Sequence, residues 1–175
     1  MMGDTTERYG TLSRFFHWFM ALGFAWMFLT ACARFIDKDA AFTKAVFQYH
    51  GQVGFTILWL GVLRILWAIS QSKHRPHNNT ITKLGHLALY VLMLAVPFIA
   101  VLRTIGSGRP FTYWNTIPIL SGSDEKIQWM VDLGNSLHGN LGWLLFLLIA
   151  GHIVMAIKHR IAGGEEDVMP RMLGK

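Results

Sequence analysis

Cysteine is almost missing from this sequence. Cys32 stands alone among 175 residues, which excludes a disulfide within the chain and covalent attachment of a prosthetic group through paired cysteines. Charge is scarce as well: Asp, Glu, Lys and Arg make up 15% of the chain, against about 25% in an average soluble domain. No acidic residue interrupts the longest apolar stretches, and no internal repeat is evident. Hydrophobic residues reach 53% and fall into long blocks, the pattern of a chain embedded in lipid. At this length a single domain over 1–175 is expected.

Four blocks run roughly over 15–33, 47–70, 84–105 and 137–161. Each reaches the ~20 residues that a helix needs to cross ~30 Å of hydrocarbon. The expected fold is therefore an all-α membrane protein, a bundle of four transmembrane helices. Pro97 lies inside the third block and predicts a kink there, since neighbouring helices can satisfy the carbonyl it frees. Leu29-Thr30-Ala31-Cys32 also resembles a lipoprotein cleavage site after a signal peptide. The His17-Trp18 pair inside the same apolar block argues for a retained span. Between the third and fourth blocks, Ser123 and Asp124 predict the start of a short surface helix with Ile127, Trp129, Met130 and Leu133 toward the membrane. The Gly- and charge-rich tail after His159 is expected to fray.

Lys and Arg near the span ends set orientation. Ten of them (Arg8, Arg14, Arg64, Lys73, Arg75, Lys83, Lys158, Arg160, Arg171 and Lys175) share the side of both termini, against six (Arg34, Lys38, Lys44, Arg103, Arg109 and Lys126) on the other. Both termini are thus expected in the cytoplasm. The formal charge of +6 comes from residues at block ends and not from a separate patch. That distribution suits anionic lipid head groups and points away from nucleic acid.

Against this apolar background the histidines are the notable polar resource. A buried ionisable residue in a span is costly and by default functional. His17 lies near the cytoplasmic end of the first span and His50 near the outer end of the second. His138 starts the fourth span on the outer side, and His152 follows fourteen residues later, about 21 Å deeper and within about 40° of the same helix face. Two level pairs result: His17 with His152 inside, His50 with His138 outside. Each pair could grip one haem iron from both sides as neutral imidazoles. Zinc fits less well, because it needs four ligands at one point. Hydrogen-bonding glue between helices is the plainer alternative for any one histidine. Gly51, Gly54, Gly139, Gly142 and Gly151 let backbone stand back beside these pairs. Arg64 stands fourteen residues after His50, at the inner level. A buried arginine needs an anion, and a haem propionate would serve; snorkelling to the interface is the alternative. Arg14, one turn before His17, is a second propionate candidate.

The residues Ser13-Arg14-Phe15-Phe16-His17-Trp18, Tyr49-His50-Gly51, Leu63-Arg64, Leu84-Gly85-His86-Leu87 through Tyr90, Val96-Pro97, Leu137-His138-Gly139 and Gly151-His152 carry a resemblance to a known family. With them the chain resembles the bacterial cytochrome b561 family over nearly its whole length, and especially its superoxide oxidases. The resemblance is more distant to the cytochrome b subunits of nickel hydrogenases and formate dehydrogenases. It implies two b-type haems on His17, His50, His138 and His152. It further implies a ubiquinone site near the inner haem at His159, and superoxide as electron donor at the outer one. His86 could line the same quinone pocket or serve structural hydrogen bonding. His74 and His77 belong to a polar loop and are expected to be solvated. Two histidines per iron leave no open position, so such a centre relays electrons. The outer loops balance basic against acidic residues to about +1 by counting, so superoxide steering would require folding to focus Lys38, Arg103 and Arg109. A cytochrome b relay subunit serving another redox partner shares the same ligands and is the alternative.

Overall fold

The computed structural model describes residues 3–75, 80–164 and 167–173. His77 lies outside them. The elements are α1 (Thr11–Ile36), α2 (Ala41–Phe47), α3 (His50–Ser70), α4 (Thr80–Gly106), β1 (Phe111–Tyr113), β2 (Ile117–Leu120), α5 (Gln128–Ala162) and α6 (Met169–Leu173). Four helical stretches are long and apolar enough to cross a membrane, with α2 and α3 forming one of them. All four overrun the blocks read from hydropathy. A helix satisfies its own backbone, so it continues past the apolar residues into polar turns. Pro97 lies within α4 without ending it.

Local chemistry sets the ends. The Asp37 side chain accepts from the N–H groups of Asp39 and Ala40 at 2.8 and 3.2 Å, turning the chain out of α1. The Thr43 hydroxyl donates to Ala33 O at 3.2 Å and ties α2 back. Gly163 takes φ 69° after α5, the left-handed conformation that glycine adopts freely.

Helix α1 packs on α3, α3 on α4, and α4 along α5. Met20, Ile57 and Met93 form the buried centre, joined by Phe24, Met27, Val53, Leu60, Ile65 and Tyr90 from the same three helices. Lipid gives helices no hydrophobic drive to associate, so dispersion and close approach hold them. The closest approach is between α4 and α5: a Cβ on Gly134 would overlap the Arg103 side chain, and one on Gly106 would overlap Met130. Neither α1 nor α3 packs extensively on α5.

Two expectations are corrected. Residues 121–127 form no helix. Ser123 N–H donates to Gly108 O and Ile127 N–H to Gly106 O, at 2.9 and 2.8 Å, pinning this segment to the end of α4. Trp129, Met130 and Leu133 belong to the first turns of α5, with the Met130 Cβ against Gly106. The tail, expected to fray, forms α6 and returns to the amino-terminal end. Tyr9 N–H donates to Arg171 O at 3.3 Å and Trp18 Nε1 to Met172 O at 3.2 Å. Nearby, the fully buried Asp4 carboxylate pairs with Arg75 at 2.9 Å and accepts from Gly10 N–H at 2.8 Å.

The sequence also hid a β-hairpin. Residues 114–116 connect the strands: Trp114 and Asn115 take φ of 47° and 56°, and Thr116 N–H closes the turn on Tyr113 O at 3.1 Å. The hairpin lies over the start of α3. Gln52 donates to Thr112 O at 3.1 Å and accepts from Trp114 N–H at 2.9 Å, and the Thr56 and Tyr113 hydroxyls are 2.8 Å apart.

Candidate functional site

Five of the span histidines gather into two tiers. In the outer tier, His50 opens α3 and His138 lies in the third turn of α5; their ring centres are 6.2 Å apart at 83°. In the inner tier, His17 of α1 and His152 of α5 are 6.3 Å apart at 54°. Fourteen residues of one helix, about 21 Å, separate the α5 members.

The outer rings are closely held. His50 Nδ1 is 2.8 Å from the Thr30 hydroxyl, and His138 Nδ1 is 3.0 Å from Val96 O. Phe47 stacks on His50 at 4.8 Å, and the Arg34 guanidinium sits 4.6 Å over the Phe47 ring. Arg103 is within electrostatic reach of both outer histidines. Reading the sequence alone assigned no role to Thr30 and left Arg34 as a loop charge. A threonine in an apolar helix carries no signal of its own until the partner helix is known.

The inner tier contains a third imidazole. His86 of α4 lies 5.7 Å from His152 at 60°. Trp18 meets His17 edge-on at 5.0 Å. Arg64 stands over Tyr90 at 5.8 Å and within electrostatic reach of His17, His86 and His152. Two polar atoms one turn apart on α1, Arg14 Nε and His17 Nδ1, are buried with no hydrogen-bond partner among the described residues. His159 lies half-buried in the last turn of α5. The quinone candidates thus differ in place: His86 joins the inner tier, whereas His159 is two turns beyond His152.

A Cβ on Gly139, Gly142 or Gly151 would meet nothing within 4 Å, whereas one on Gly54 or Gly51 would touch Met27 or Phe111. Among the described residues no three side chains of His, Cys, Asp or Glu gather as a metal cluster. Imidazoles facing each other in twos across a gap suit a flat macrocycle with iron at its centre.

Comparison with known proteins agrees. Residues 8–175 match the family described as prokaryotic cytochrome b561. The chain belongs to that family. It is also 30% identical over 182 residues to cytochrome b561 homolog 2 of Escherichia coli (strain K12), an overlap of 98% of this chain and 94% of that protein. As a prokaryotic cytochrome b561 it is a multi-pass membrane protein of electron transfer, in a family that binds haem b. The residues present fit that group. An iron held between two imidazoles, with bonds of about 2 Å, keeps their ring centres about 6 Å apart. Arg14 Nε and His17 Nδ1, without a partner among the described residues, are polar atoms that a propionate could meet.

Proposed function

We propose that this cytochrome b561 carries electrons from superoxide at the periplasmic face of the bacterial inner membrane to ubiquinone at the cytoplasmic face. In this reading, His50 and His138 hold an outer haem b, and His17 and His152 an inner one. The observation that carries it is the near-identity of the two ring separations, 6.2 and 6.3 Å, at two levels of one bundle. His86 is also close to His152, at 5.7 Å, but the family resemblance pairs His17 and not His86 with His152. We therefore place His86, with His159, beside the quinone.

When bound, the haems supply one-electron redox chemistry. The chain's residues do the rest. Held by two imidazoles each, the haems would relay electrons and would not bind dioxygen. Arg14 and Arg64 hold the inner propionates, and His159 donates to a quinone carbonyl and passes it a proton. Two superoxide ions each lose one electron and leave as dioxygen; the quinone takes both electrons and two protons. Both termini then lie in the cytoplasm, as the excess of Lys and Arg on their side favours.

Purified protein reduced with dithionite should show sharp b-type bands from two haems. Superoxide should then reduce those haems, and added ubiquinone should reoxidise them. A near balance of charge in the outer loops supports one other reading, a relay subunit for a different redox partner. Haem reduction by superoxide no faster than in buffer alone would decide for that relay.

A further inference from the structure

Thr30 is fully buried, and its hydroxyl has two neighbours: Met27 O at 2.9 Å and His50 Nδ1 at 2.8 Å. A carbonyl only accepts, so the single hydroxyl hydrogen goes to Met27. The hydroxyl oxygen is then left as an acceptor, and His50 Nδ1 must be the donor. A neutral imidazole has one N–H, so His50 presents its lone pair from Nε2. The same logic applies to His138, whose Nδ1 faces Val96 O at 3.0 Å. His17 differs, because its Nδ1 is buried without a partner among the described residues.

We infer that Thr30 is a positioning and tuning residue for the outer haem: it fixes the His50 tautomer and strengthens that ring as a donor to iron, holding the outer midpoint potential down. The inference rests on the reading of His50 as an axial ligand. An imidazole whose far N–H is held by an acceptor is the more basic ligand, and a stronger donor favours the oxidised metal. Packing alone does not call for a hydroxyl here, since valine has the same shape.

The test is an optical redox titration of the purified haem-loaded protein. In a Thr30→Val variant the outer midpoint should rise while the inner one stays, and Thr30→Ser should restore the starting value. Selective loss of the outer haem in Thr30→Val, regained in Thr30→Ser, also supports the inference, because the ring then needs the hydroxyl to stay in place. An unmoved outer midpoint with both haems bound overturns it. So does a shift that serine fails to reverse, or loss of both haems together. His50→Ala serves as the control for the underlying reading. If that variant keeps both haems, His50 is not a ligand and both conclusions fall. If it loses one haem while Thr30→Val changes nothing, the inference about Thr30 falls alone.

Discussion

The two histidine tiers use the same chemistry with different support. At the outer tier both rings are fixed through Nδ1, one by a hydroxyl on α1 and one by a carbonyl on α4. A hairpin and a stacked phenylalanine lie beside them. At the inner tier three rings and two arginines come together, and His17 Nδ1 and Arg14 Nε have no hydrogen-bond partner among the described residues. The outer rings are thus held by other residues of the chain, whereas the inner tier keeps polar atoms that no described residue pairs. Under the proposed function, that difference suits an outer site that holds one haem rigidly and an inner site that also admits a quinone.

The largest test of this contrast removes ligands. His50→Ala should leave one haem per chain, the inner one, and His152→Ala should leave the outer one, both read by haem content and reduced spectra. Equal loss from both variants would break the two-tier assignment. The inner tier can be sharpened next. His86→Ala should keep both haems with low-spin spectra and slow only reoxidation by quinone, while His17→Ala should lose the inner haem. The reverse outcome would make His86 the ligand.

A smaller effect is expected where the tiers share a support. Gly134→Val should destabilise the bundle by about 1–3 kcal/mol through overpacking against Arg103. Because α4 and α5 set the Val96–His138 bond, the outer haem should be perturbed first, seen in thermal melts followed at the haem bands. The smallest effect should come from Trp18→Phe. It removes the indole donor to Met172 O, a net change of about 1 kcal/mol. Faster proteolysis of the tail, with both haems retained, is the measurement.

Much of the fold was legible because a bilayer allows few solutions. Blocks of apolar residues become helices when no water can satisfy the backbone, and the spacing from His138 to His152 places both rings on one face of α5. The hairpin at 111–120 was not legible. Its turn residues, Trp114 and Asn115, lack the glycine that marks such turns. The short helix expected from Ser123 is missing for a related reason, because hydrogen bonds to the end of α4 outweigh a local capping signal. How close His86 comes to His152 depends on the rotation of α4, which spacing along one helix does not report.

The sequence alone determined the number of helices long and apolar enough to cross a membrane, the position of each histidine along its own helix and the family, because hydropathy and helical rise are properties of single segments. Only the tertiary structure decided that Thr30 reaches His50, that Val96 O reaches His138, that three imidazoles share the inner tier, and that the tail folds back on α1. Those contacts depend on how each helix turns about its own axis against its neighbours, and side-chain packing between helices sets that rotation.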